Sequence, residues 1–570
     1  MNNMNFVSFF RRILCMITVL ALLLCITACT EKTSESIENP ASSTQNSLAP
    51  STEGSTQPAP TVPTQPSEPE KPREELIYEL TEADVDAFYD LLEDCETLAL
   101  AGDDVDAIEM ATAALDESYE LLEAQCSIAM ILHYSHMSDE ALETQYLDSV
   151  EICTQAHDAY MQMVKRVYLS DTPAKDVLFE GWTEQDFADL MAYNQQIAQL
   201  QQRNAEIGVA YRTTEDDDLK ITLYIEFIQN NNTIAQTYGY DNYYTYAYES
   251  VYDRDYDADS VDQLRQYAKL YLGDLYDTSL TNFYYSFYEN LNNRNRKALE
   301  SFLFDDYDTL NTNYVQLYLD SLAGTMGAHI DTMLKYDSLF TDAYDAQEGA
   351  FTTAIGQRSF CYFGPGYASV MTVIHEGGHY YASRYADLNS IPLDLAEVHS
   401  QGNEWLFTSF LKDHMQSGPY QALVNYKLYE NVATILICLM VDEFEQIVYT
   451  TDLNGFGAED FDAIMNHVAL QYFPDGDVSD MLTDMNSYWR MVVVDQPVYY
   501  ISYAVSAIAS ISLYTAAERD YDHAMAAYQK LCQEPLLEAG FLGNITAAGL
   551  LSPFDETFYQ QLQAIIEGRS

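Results

Sequence analysis

The stretch VMTVIHEGGHYYASRY, residues 370–385, holds two of the chain's ten histidines four positions apart, with Glu376 directly after the first. On a helix, residues i and i+4 stand one turn apart on the same face, so His375 and His379 can offer two imidazole nitrogens to one tetrahedral metal. Glu376 beside them is placed to take a proton from a metal-bound water, the logic of the H-E-x-x-H pattern. The apolar, β-branched lead-in VMTVI predicts a buried helix. A pair of core or surface histidines is the bland alternative, and a third ligand is what separates the two readings.

In the longer pattern H-E-x-x-H-x-x-G-x-x-H, positions 382 and 385 would be Gly and His. They are Ala382 and Tyr385, which excludes that class. The next helical stretch, LDLAEVHSQGNEWLF (393–407), offers Glu397 and Glu404, seven apart and therefore on one face, with Asp394 and His399 as lesser candidates. One glutamate can be the ligand and the other the acceptor that orients a ligating histidine. Spacing alone does not choose between them. His399 falls on a different face and reads as a core or supporting residue.

HEGGH followed by LAEVHSQGNEW resembles the thimet oligopeptidase and oligoendopeptidase F family of zinc metallopeptidases. EGAFTTAI (348–355) and YGYDNYYTYAYESVYDRDY (238–256) are similar to further segments of that family, so the resemblance covers most of residues 80–570. It implies one zinc ion per chain held by His375, His379 and Glu397, with Glu376 as base and Glu404 as the supporting carboxylate. It also implies two helical lobes around a deep substrate channel that admits short, unfolded peptides. Family members use tyrosines on a late helix to stabilise the oxyanion, and DQPVYYISYAVS (495–506) offers Tyr499, Tyr500 and Tyr503. The four-residue spacing of Tyr499 and Tyr503 predicts one shared face and selects them, although among 47 tyrosines such pairs are common. Two departures stand out. Val494-Asp495-Gln496 occupies the place where the family usually has a histidine, and the step from His379 to Glu397, closed around DLNSIP (387–392), is shorter than in the thimet enzymes.

The remainder fits a mainly α chain. At 570 residues it exceeds one compact core, and 48% hydrophobic residues with only 23 Gly and 16 Pro favour long helices over strands and turns. Thr81-Glu82-Ala83-Asp84 and Thr183-Glu184-Gln185-Asp186 each match a capping box ahead of a helical apolar period. No alternating strand series stands out. Residues 496–517 carry no charge, but nine hydroxyl-bearing side chains and a Pro make them a buried core helix rather than a membrane span. The expected lobes are residues 76–215, N-terminal, and 216–570, catalytic.

The N-terminus has a different character. Arg11 and Arg12 precede the apolar run ILCMITVLALLLC, which ends in Ile26-Thr27-Ala28-Cys29 and resembles the lipobox of bacterial lipoproteins. Residues 1–28 are then a signal peptide and Cys29 carries lipid, placing the protein outside the cytoplasm and against a membrane. Residues 29–75, rich in Ser, Thr and Pro, cannot bury a core and read as a disordered tether with a reach on the order of 140 Å. The other cysteines are scattered without a CxxC pair, so buried free thiols are expected. With 89 acidic against 26 basic residues the formal charge is −63, which repels phosphate backbones and excludes nucleic acid as a partner. The same field favours basic peptides. The sequence leaves the oligomeric state open. Two other functional classes share the tether: a non-catalytic peptide-binding lipoprotein, against which the intact Glu376 speaks, and a surface adhesin or scaffold.

Overall fold

The structure is a computed structural model that describes residues 76–569 apart from 103, 180–181, 215, 306–311, 387–389, 474–484, 486–488, 491 and 495–496. The expected signal peptide, Cys29, the expected tether, half of DLNSIP and the Asp495-Gln496 pair therefore lie outside the described residues. Helices dominate the rest, as expected.

The first helices form a three-helix unit: α1 (Glu82–Ala101), α2 (Val105–Ser135) and α3 (Glu140–Leu169). Helix α1 starts at the predicted capping box, in which the Thr81 hydroxyl accepts from the Asp84 amide while the Asp84 carboxylate accepts from the Thr81 amide. Phe88, Leu115, Leu122, Ala156 and Tyr160 are fully buried where the three pack together. His157 is buried among them, and neither of its ring nitrogens has a hydrogen-bond partner among the described residues. Burial lowers its pKa from 6.5 to about 3. Below pH 6.5 the unfolded chain therefore binds a proton that the folded chain refuses, and stability falls as pH drops from 6.5 towards 3. His157→Leu is expected to remove about 1.4 kcal/mol of that loss per pH unit. Urea midpoints measured from pH 7.5 to 5 would show it; parallel curves for the two proteins would mean that His157 is charged in the fold.

Strands are the one element type the sequence pattern hides. A small sheet of order β1-β3-β2 joins β1 (Ser338–Phe340), β2 (Ala350–Ile355) and β3 (Arg358–Phe363), with β1 parallel and β2 antiparallel to β3. Gly356, at φ +58, takes the first place of the two-residue β2–β3 turn, where a side chain would be strained. Five of the six β3 residues are buried, because both faces of the sheet are covered. Phe360 and Tyr362 enter the core of the three-helix unit, whereas Cys361 and Phe363 enter the core of the second, larger cluster. A strand covered on both sides shows no polar alternation, which is why the sequence gives no strand signal there.

The larger cluster is built on α4 (Asp217–Thr237), α5 (Met326–Tyr336), α6 (Val370–Ala382), α7 (Leu393–Phe410), α8 (Ser417–Thr450), α9 (Ile501–Ala517) and α10 (Tyr521–Gln533). Helix α7 is buried along most of its length and lies between α6 and α9. Small residues bring α9 close: Gln401 donates to Ser506 across the contact at 3.1 Å, and a Cβ on Gly402 would stand 3.2 Å from Leu513. The uncharged stretch of 496–517 is thus a core helix, and among the described residues no helix is long and apolar enough to cross a membrane. The six described cysteines are buried, and no disulfide joins them.

Candidate metal centre

Helix α6 begins at Ser369, whose hydroxyl accepts from the Thr372 amide, and carries the HEGGH motif over its middle. Its two glycines are not equivalent. A Cβ on Gly378 would stand 2.2 Å from the His399 carbonyl oxygen of α7, a clash of backbone with backbone, whereas one on Gly377 would meet only the Ile330 side chain at 3.2 Å. Gly378 therefore marks the point where α6 and α7 cross in contact. Asn403 pins the crossing by donating to the Ile374 carbonyl at 2.7 Å, and is itself held by the Tyr318 hydroxyl at 2.7 Å.

The crossing aligns one carboxylate with both imidazoles. Glu397 Oε2 lies 3.8 Å from His375 Nε2 and 3.9 Å from His379 Nε2, and one donor atom from each residue falls within 4.8 Å of the other two. Ligands bonded at about 2.1 Å on a tetrahedron stand about 3.4 Å apart, so these three residues fit a zinc ion with a small inward adjustment. Burial keeps His379 well below its ordinary pKa, so the ring is neutral, the form that binds a metal. Glu397 is buried too, which raises its pKa, and it accepts from the Tyr499 hydroxyl at 3.1 Å and the Ser400 hydroxyl at 3.2 Å.

Glu404 lies one step behind. Its Oε1 is 2.7 Å from His375 Nδ1, which leaves Nε2 facing the cluster. Its Oε2 accepts from Lys427 Nζ on α8 at 2.6 Å. Burial alone would raise the Glu404 pKa, but Lys427 and His375 outweigh it and lower it to about 2. Sequence reasoning missed Lys427, because its only signal is a charged residue at a buried position of a long helix. Lys427→Met would strand the Glu404 carboxylate without its cation, an expected cost of about 3–5 kcal/mol. A zinc ion held by the three residues would also bind about 10- to 100-fold more weakly, because the His375 ring is loosened. Thermal unfolding and competition with a chelator would measure both, and unchanged zinc affinity would refute the coupling.

Glu376 is buried between α6 and β2, where the Thr352 hydroxyl donates to its Oε2 at 2.6 Å. Burial raises its pKa to about 7, against the opposing pull of His375 and Thr352. That value suits a group that both accepts and returns protons near neutrality.

The lesser candidates fall elsewhere. Asp394 is buried one turn before Glu397 and accepts from the Tyr256 hydroxyl at 2.7 Å. His399 is buried, with its pKa lowered to about 4 by burial, and is not among the three converging residues. The tyrosines need one correction. Tyr499 and Tyr503 do not share a helix face, because Tyr499 lies in a turn and α9 begins only at Ile501. Pro497 and Val498, the latter at φ +62, break the helix there. The two rings still meet edge to face, 5.2 Å apart.

This arrangement sits on the helical fold of the oligoendopeptidases. Two solved structures with that fold are PZ peptidase A with inhibitor 2 and an oligoendopeptidase F from Bacillus anthracis strain Ames. The first is 17% identical at TM-score 0.65, covering 86% of this chain and 98% of its own, and the second is 16% identical at TM-score 0.65, covering 87% and 96%. A further structure of an oligoendopeptidase F is 16% identical at TM-score 0.64, covering 86% and 97%. No protein-family model and no curated protein sequence matches the chain.

Proposed function

We propose that the chain is a zinc-dependent endopeptidase that hydrolyses short, unfolded oligopeptides outside the cytoplasm, held to a membrane by lipid on Cys29. The observation that carries this reading is the convergence of His375, His379 and Glu397 within 4.8 Å, with Glu376 on the same helix. The shared fold with structures named as peptidases supports it. The three residues would hold the zinc, which when bound supplies a Lewis acid that brings the pKa of water to near 7. Glu404 fixes the His375 ring with Nε2 forward. Glu376 takes the proton of the attacking water on its carboxylate and returns it to the departing amine. Tyr503 and Tyr499, the latter by turning its hydroxyl proton away from Glu397, donate to the carbonyl oxygen as negative charge builds on it. The proposed lobes, residues 76–215 and 216–570, would flank a channel that excludes folded proteins.

Metal analysis and cleavage of a quenched decapeptide by the detergent-solubilised protein test the reading. One zinc per chain, cleavage stopped by a chelator and restored by zinc, and no cutting of a folded protein are the expected results. Zinc without cleavage would make it a binding protein instead. Labelling with radioactive palmitate tests the anchor: label that persists in Cys29→Ala would refute it.

A further inference from the structure

Among the described residues only two other than glycine have positive φ, Asp253 at 45° and Val498 at 62°. A β-branched residue in that region is strained, and such strain persists only where the surroundings impose it. The residue next to the first outlier reaches the second. Arg254, directly after Asp253, donates from Nη2 to the Val498 carbonyl at 2.9 Å and to the Ser502 hydroxyl at 3.0 Å. Tyr252 donates to the Pro497 carbonyl at 2.8 Å, and the Val498 amide donates to Glu445 Oε1 on α8 at 2.9 Å. Three consecutive backbone groups are thus gripped by side chains remote in sequence, immediately before Tyr499.

The same guanidinium reaches the metal-centre helix. Arg254 Nε stands 3.8 Å from Asp394 Oδ1, three residues before Glu397 on α7, while Tyr256 holds the other Asp394 oxygen. The guanidinium also lies over the rings of Tyr248 and Tyr252, 4.4 and 4.5 Å from their centres, in cation–π contact with both. Tyr252, Arg254 and Tyr256 all come from the stretch VYDRDY (251–256), for which the chemistry above has no use.

We propose that Arg254 is a positioning residue: it clamps the strained Pro497–Val498 turn to α7 and so sets where the Tyr499 hydroxyl stands relative to Glu397. This rests on the peptidase reading for its catalytic consequence. A flat, forked guanidinium can bond the turn and face Asp394 at once, whereas an ammonium is a single point of charge. An arginine serving only stability would change the fold's melting temperature and leave turnover alone.

The test uses the full-length protein and its Arg254→Lys, Tyr252→Phe, Tyr499→Phe and Arg254→Lys/Tyr499→Phe variants. Hydrogen exchange of residues 497–503 is expected to quicken at least tenfold in Arg254→Lys, with α6 unchanged. On a quenched decapeptide, kcat should fall about 10- to 100-fold at constant KM and zinc content. The double variant should be no slower than Tyr499→Phe alone. Tyr252→Phe, which removes one bond, should show the same pattern more weakly and carries the test should the lysine variant not fold. Unchanged exchange, or fast exchange with wild-type kcat, would overturn the proposal. A wild-type protein that cuts no peptide overturns the peptidase reading alone, and exchange in 497–503 then decides for or against the clamp.

Discussion

Glu376→Gln is expected to lower kcat on a short peptide by about 10³-fold, the middle of the range for loss of a general base. Zinc content and KM should not move. Glutamine fills the same volume and still accepts from the Thr352 hydroxyl, so no buried donor is stranded. What it lacks is a site for the proton. Glu376 is also buried near Glu397 and Glu404, and both of those carboxylates raise its cost of ionisation. Removing one acidic group should therefore hold or raise the melting temperature. A variant that loses activity because it loses zinc or unfolds would deny Glu376 the role of base, and one that keeps wild-type kcat would remove it from the reaction.

Gly378→Ala should produce the second large effect, this time on assembly of the centre. The added Cβ would overlap the His399 carbonyl oxygen at 2.2 Å and also stand 2.8 Å from Ser400 Cα, so α6 and α7 must move apart. Backbone cannot rotate away as a side chain can. A cost of about 3 kcal/mol is expected, as for overpacking without room to relax, together with a fall in zinc affinity of at least about 100-fold, because the Glu397 carboxylate moves with α7. The neighbouring position supplies the control. Gly377→Ala brings a Cβ to 3.2 Å from a side-chain carbon of Ile330, which can shift, and alanine is a better helix former by about 1 kcal/mol. Its stability should stay within about 1 kcal/mol of wild type. Equal damage at both positions, read by chemical denaturation and zinc competition, would show that the crossing does not depend on Gly378.

The first two ligand candidates were legible because their relation is local. Four residues on a helix bring two side chains to one face whatever the rest of the chain does, so HEGGH announces itself without a fold. The helical class was equally legible, since apolar period and capping residues act over a few positions. The sheet was not: β3 is covered by two different cores, and a strand buried on both faces has lost the alternation that would reveal it.

Glu397 and Glu404 mark the boundary between the two kinds of information. They lie seven apart on one helix face, and both spacings suit a ligand. Only the crossing at Gly378 sets Glu397 between the two Nε2 atoms and Glu404 behind His375 Nδ1, where Lys427 meets it. The turn before α9 follows the same rule. Its tyrosines look helical in the sequence, yet contacts from Tyr252, Arg254 and Glu445 hold Val498 in a conformation its own side chain disfavours. The sequence by itself determined the helices and the paired histidines, because those depend on neighbours along the chain. The tertiary structure alone decided which carboxylate faces the histidines and where Tyr499 points, because those depend on where two remote backbones touch.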